Sequence, residues 1–172
     1  GRQVLLQQRR DELLDATLRA IRLRAGSPSM DEIAEIAGTS KPVLYRYFDD
    51  QAGLFMAVAQ RIDSTIQLRI EAAVADVPDA HDRLAAMINE YLELLESDPE
   101  IYRFLENKTL LDDKSYEYPT AELIERMTEL FADTFVGDNP RATTPLLMAG
   151  IIALVRTATA RWIASIHSEQ PV

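Results

Sequence analysis

The 172-residue sequence predicts an all-α protein, with a three-helix domain over residues 1–50 and a larger helical bundle over residues 51–172. Three observations predict it. Apolar residues recur at three- and four-residue intervals through most of the chain, and no stretch alternates with the period of two that a half-buried strand needs. The clusters Gly26-Ser27-Pro28, Gly38-Thr39 and Pro78-Asp79 cut that pattern into helix-sized pieces. Charge is also uneven: residues 1–50 carry eight basic and eight acidic side chains, and the rest ten basic and twenty acidic. The net charge of −10 therefore belongs to the C-terminal part, and the N-terminal part is free to meet a polyanion.

The first predicted helix places Leu14, Leu18, Ile21 and Ala25 on one face and fades at Gly26. Ser29-Met30-Asp31-Glu32 then forms an S-x-x-E capping box, so a second, short helix starts there, turns Ile33, Ala34, Ile36 and Ala37 inward and stops at Gly38. A third helix follows a tight turn, with Thr39 or Ser40 as its cap and Pro42 in its first turn, where the amides have no intrahelical partner. Two short helices joined at a glycine turn and packed on a longer one form a helix-turn-helix. Leu44 and Phe48 face the core, leaving Lys41, Pro42, Tyr45 and Arg46 outward and Val43 and Tyr47 on the flanks. Lysine can donate to guanine acceptors, proline and valine can touch a thymine methyl, and tyrosine hydroxyls can bond phosphate oxygens. Exposed aromatics that simply cover a neighbouring helix are the other reading of the same residues.

The run Ser29-Met30-Asp31-Glu32-Ile33-Ala34, then Ala37-Gly38-Thr39-Ser40, Leu44-Tyr45-Arg46-Tyr47-Phe48 and Leu54 resembles the TetR family of transcriptional regulators over residues 10–56. The resemblance implies an all-helical homodimer whose N-terminal helices read a palindromic operator in double-stranded DNA and whose C-terminal domain holds an effector pocket. Carried over by position, Lys41, Pro42 and Val43 approach base edges, Ser29, Tyr45 and Tyr47 hold phosphates, and Arg46 does either. Thr39 and Ser40 complete the DNA-facing set. Family members commonly carry a lysine on a phosphate near the start of the fourth helix, where this chain reads Asp49-Asp50-Gln51. Binding is therefore expected to be modest, with a shallow salt dependence, unless Arg2, Arg9 and Arg10 compensate.

Beyond Leu54 the helices lengthen. Leu54, Val58, Ile62, Ile66 and Ile70 mark a connecting helix from residue 52 to about 75. Leu84, Met87, Ile88, Tyr91, Leu92 and Leu95 form the next stripe, closed by Asp98-Pro99-Glu100, a cap followed by a first-turn proline. Ile101, Tyr102, Phe104 and Leu105 give a short helix, residues 110–119 a surface loop, and Leu123, Met127, Leu130, Phe131 and Thr134 a further helix ending near Gly137. The final helix, Thr144 to His167, is apolar nearly all round and is expected to be buried on several sides. Small residues along it, Ala149, Gly150, Ala153, Ala160 and Ala164, suit close approach by another helix. In the family this region and the helix after it build the dimer interface; the last of those helices has no counterpart before Val172.

The candidates for lining an effector pocket are Met87, Tyr91, Tyr102, Phe104, Met127, Phe131 and Trp162, a set of methionines and aromatics that suits an adaptable apolar cavity or an ordinary core. Arg156, a cation inside an apolar stretch, needs a carboxylate from its own chain, a partner subunit or a ligand. With no cysteine, and with His81 and His167 lacking histidine or glutamate companions at ligand spacing, no metal or cofactor is implied. Neither a nucleophile–base set nor a phosphate loop points to an enzyme. The longest apolar run, Leu146 to Val155, falls short of the roughly 20 residues of a membrane span, and no signal-peptide pattern opens the chain, so the expected location is cytoplasmic. Two functions fit: a regulator released from its operator by a small apolar effector, and a helical small-molecule carrier or interaction module without specific DNA binding.

Overall fold

The computed structural model describes residues 1–107, 121–130 and 140–168, which form eight helices and no strand. The helices are α1 (Arg2–Leu23), α2 (Met30–Ile36), α3 (Lys41–Phe48), α4 (Gln51–Val74), α5 (Ala80–Ser97), α6 (Pro99–Glu106), α7 (Ala121–Leu130) and α8 (Pro140–Ser168). The predicted loop at 110–119 and the predicted helix end near Gly137 lie outside the described residues. No described helix is long and apolar enough to cross a membrane.

The chain divides into two compact units, the first combining Gly1–Ile62 with a segment beginning at Asp98, the second Asp63–Ser97 with Pro119–Val172. Residue 50, where the sequence places the domain boundary, lies in the turn between α3 and α4. In the first unit α1 packs on α2 and on α6, and α2 on α3. Its core gathers Leu13, Leu14, Ala16, Ala20 and Ile21 of α1, Met30 and Ile33 of α2, Leu44 and Phe48 of α3, Leu54, Phe55 and Val58 of α4, and Tyr102, Phe104 and Leu105 of α6. Phe55 and Phe104 meet edge to face with centroids 5.4 Å apart, the arrangement the ring quadrupoles favour.

The buried face of α1 is wider than the predicted stripe, taking in Thr17, whose hydroxyl donates to the Leu13 carbonyl at 2.8 Å. Ala25 lies beyond the helix end and is exposed, since the chain turns at Ala25 (φ 53) and Gly26 (φ 89). Glycine is suited to that left-handed turn because it lacks a Cβ. Asp98 does not cap α6 with its side chain as expected. Its carboxylate instead accepts from Arg22 Nε at 2.6 Å, joining the end of α1 to the start of α6.

In the second unit α7 packs on α8, and Ile66, Ile70 and Val74 of α4, Met87 and Leu95 of α5, Met127 and Met148 are buried. Arg69 reaches Glu90 at 2.6 Å, and Arg126 reaches Glu71 at 3.0 Å and Glu129 at 2.9 Å. The expectation that α8 is buried on several sides does not hold within one chain. Leu146 is 75% and Leu154 70% exposed, and Leu147 and Trp162 are exposed as well. One chain supplies cover for the side of Met148 and Thr159 and leaves the opposite apolar face wet.

The capping box at the start of α2 is fully formed: the Ser29 amide donates to Glu32 Oε2 at 2.9 Å and the Glu32 amide to Ser29 Oγ at 3.3 Å. The hydrogen bond from the Ser29 amide chiefly, then that from the Ser29 hydroxyl, hold the Glu32 carboxyl below its ordinary pKa; burial opposes them, and the nearby Arg24 guanidinium adds the least. A carboxyl with a lower pKa folded than unfolded adds stability above the unfolded pKa and loses it as pH falls through the folded value. Thermal unfolding followed from neutral to acid pH should therefore show a smaller acid-induced loss in Glu32→Gln than in the parent chain. Ser29→Ala should cost about 1 kcal/mol at neutral pH. Identical acid profiles for parent and Glu32→Gln would contradict the assignment.

Candidate nucleic-acid interface

The outward face of α3 follows from which of its residues are anchored. Leu44 is 0% and Phe48 4% exposed, and these two, four residues apart, fix the inward side of the helix. Pro42, Tyr45 and Arg46 are exposed, Tyr45 at 39%, while Lys41, Val43 and Tyr47 are half-buried at the edges. Ser40 holds the N-cap position but makes no side-chain cap bond, so its exposed hydroxyl is not used within the helix. Thr39 is half-buried, its amide bonded to the Ala34 carbonyl at 2.9 Å.

Two of the expected contact groups are already engaged. Lys41 Nζ lies 3.1 Å from Asp31 Oδ2, in a pair whose side chains are 40% and 75% exposed. A pair so open to water contributes roughly 0–1 kcal/mol, and a phosphate or base edge can replace its carboxylate. The Ser29 hydroxyl donates to Glu32 Oε2 at 3.0 Å, so a phosphate there would compete with the capping box. Arg46 has no ion pair among the described residues; its guanidinium lies 5.8 Å from the Tyr47 ring centroid. Arg10 stacks over Phe48 at 4.9 Å, tying α1 to the end of α3.

The acids that interrupt the expected lysine position have a structural task. Asp50 Oδ1 accepts from the Gly53 amide at 2.7 Å, satisfying an open amide in the first turn of α4. Asp49 ends α3 with φ 63 and ψ −57, the centre of a tight γ-turn in which the Asp50 amide donates to the Phe48 carbonyl at 2.7 Å. A Cβ at Gly53 would overlap the Phe48 carbonyl oxygen, so glycine there permits the sharp passage from α3 into α4. Sequence reasoning missed this, although Asp-x-x-Gly ahead of an apolar run is a visible capping signal.

The predicted effector residues are dispersed. Met87 and Met127 are buried in the second unit, where Tyr91 and Arg156 are half-buried. Tyr102 and Phe104 belong to the core of the first unit, and Phe131 lies outside the described residues. Trp162 lines an open groove in the second unit with Ile88 and Leu92 of α5 and Leu154, Val155 and Ala158 of α8. That groove has a volume of about 450 Å³. Ile88 and Leu92 stand in the predicted α5 stripe, but nothing in the sequence separates a stripe that ends in a groove from one that ends in a core. At the start of α5, Asp79, His81 and Asp82 come together at the surface, where the Asp79 carboxylate accepts the amides of the other two at 2.9 and 3.0 Å as a helix cap.

Residues 13–58, from inside α1 to the middle of α4, match the model of the bacterial regulatory proteins of the tetR family. An uncharacterized HTH-type transcriptional regulator of Mycobacterium tuberculosis is 44% identical over 100 residues, 57% of this chain and 42% of that protein. Over this segment the chain is similar to the TetR family. It spans less than half the length of that mycobacterial relative. The HTH-type transcriptional activator FasR of Mycolicibacterium smegmatis is 25% identical over 175 residues, covering 100% of this chain and 78% of its own. Among solved structures, a TetR-family regulator from Pectobacterium atrosepticum has a TM-score of 0.73 at 20% identity, over 95% of this chain and 93% of that one, and shares the all-α fold.

The division of α3 into an anchored and an open side predicts opposite outcomes for adjacent residues. Leu44→Ala should lower stability by about 2–5 kcal/mol, the cost of emptying a buried leucine site. Tyr45→Ala, on the open side, should change it by no more than about 0.5 kcal/mol. Denaturant titration of both variants checks this, and comparable losses would show Tyr45 to be part of the core.

Proposed function

We propose that this chain is a DNA-binding transcriptional regulator of the TetR family that acts as a homodimer and is released from its operator by a small apolar effector. One observation carries the reading: α3 holds Leu44 and Phe48 in the core while Pro42, Tyr45 and Arg46 stand open in a row. That leaves an edge of the width and chemistry a major groove accepts. Lys41, released from Asp31, and Arg46 donate to base acceptors or phosphates, Pro42 and Val43 meet thymine methyls, and Ser40, Thr39 and the hydroxyls of Tyr45 and Tyr47 take phosphate oxygens. Ser29 serves there only by giving up its bond to Glu32.

The open face of α8 supports the dimer. Leu146, Leu147 and Leu154 are exposed, with Gly150 and Ala153 between them, so a second copy would bury apolar surface that one chain leaves in water. A palindromic site follows from a two-fold pair of reading helices. For the effector, the α5–α8 groove offers an almost wholly apolar wall, which favours an apolar ligand. Effector and operator then oppose one another by a coupling that acts equally in both directions.

A mobility-shift titration with DNA from upstream of the chain's own gene tests the reading. Binding that resists excess unrelated duplex, and is abolished in the Lys41→Ala/Tyr45→Ala variant while its thermal unfolding is unchanged, is the expected result. Uniformly weak binding that ignores sequence would favour a helical carrier and sink the proposal.

A further inference from the structure

A long open groove runs between the first three turns of α1 and the Arg46–Tyr47 side of α3, walled by Arg2, Gln3, Gln7 and Arg10 from the one and Arg46 and Tyr47 from the other. Three acids, Asp11, Glu12 and Asp15, also border it, which alone would make it a poor place for an anion. Each is already matched. Arg61 of α4 reaches Asp11 at 3.1 Å and Asp15 at 2.9 Å, and Arg9 reaches Glu12 at 2.8 Å. By contrast, Arg2, Arg10 and Arg46 have no carboxylate partner among the described residues. The groove thus presents three cations without carboxylate partners, while its three carboxylates share two guanidiniums and keep one negative charge between them.

Its position gives the occupant. Asp31 and Lys41 lie on one flank of α3, and Tyr47 and the groove on the other. A helix seated in a major groove about 12 Å wide has a sugar–phosphate strand along each flank. Gln3, Gln7 and Arg10 follow one another at helical spacing on a single side of α1; the Gln7 side-chain amide donates to Asp11 at 3.2 Å, and Gln3 and Arg10 bring amide and guanidinium donors in line with the groove. Arg10 is also steered by its stacking on Phe48, so its charge is placed relative to α3.

We infer that the start of α1 is a second DNA contact, a backbone clamp in which Arg2 and Arg10, beside Arg46, neutralise phosphates of the strand on the Tyr47 flank. The inference rests on the regulator reading above and extends it to a surface outside the α3 reading edge. It also supplies the charge that Asp49-Asp50-Gln51 withholds at the start of α4. These contacts carry no sequence information; they set affinity and salt dependence for every duplex alike.

The test is fluorescence-anisotropy titration of the full chain at several salt concentrations, with the upstream duplex and with an unrelated one. Removing one phosphate-neutralising cation should lower the slope of log K against log salt by about 0.9, so Arg2→Gln/Arg10→Gln should lower it by roughly 1.8. Affinity at 0.1 M salt should fall roughly tenfold per cation removed for both duplexes, leaving their ratio unchanged. Arg2→Gln alone, in the exposed first turn, keeps the Arg10 stacking and should lower the slope by about 0.9. Slopes equal to that of the parent chain would overturn the clamp while leaving the α3 reading intact. A changed ratio between the duplexes would assign these residues to base readout instead, and absence of salt-dependent binding by the parent chain would overturn both.

Discussion

The burial of Leu44 and Phe48 is the constraint on which the helix-turn-helix depends. An eight-residue helix cannot hold its own conformation in water, since its nucleation cost exceeds what so few hydrogen bonds return. Seating two large apolar side chains in the core of the first unit fixes both the existence of α3 and its rotation about its axis. Everything on the opposite face is then placed without contributing to stability. Tyr45 and Arg46 are free to be chosen for what they touch outside the protein. The passage into α4 is equally constrained, by the Asp50 cap and by the lack of room for a side chain at Gly53.

Charge in the first unit follows the same division between support and surface. Arg22 joins Asp98 of α6, Arg24 joins Glu32 of α2, and Arg61 gathers two carboxylates of α1, so many acids of this unit serve its own architecture. What remains for a polyanion is the α3 edge with Arg46 and the neighbouring Arg2 and Arg10. A chain with a formal charge of −10 therefore keeps a locally cationic surface. Long-range repulsion from the whole molecule would oppose the approach of DNA, which makes the short-range geometry of this surface decisive.

Local chemistry made the helix-turn-helix legible in the sequence. The S-x-x-E box, the glycine stop after α2, the first-turn proline of α3 and the Leu44–Phe48 pair each act over one helical turn, and the structure contains all of them. What depended on distant partners was not legible. Asp98 resembled a cap and became the partner of Arg22, because an aspartate before a helix does not reveal whether a guanidinium stands nearer than the helix amides. Tyr102 and Phe104 resembled pocket residues, yet α6 packs on α1 and buries them in the first unit. The apolar circumference of α8 read as burial on several sides, but composition cannot say whether its cover comes from the same chain or a second one.

The most direct test of the central claim is an NMR titration of the chain with its upstream duplex, following assigned α3 resonances. The account predicts large shifts for Tyr45, Arg46 and the amides beside Pro42, with the Leu44 methyl and Phe48 ring signals little changed. Shifts confined to the second unit, or a core pair that moves as much as the open face, would contradict it.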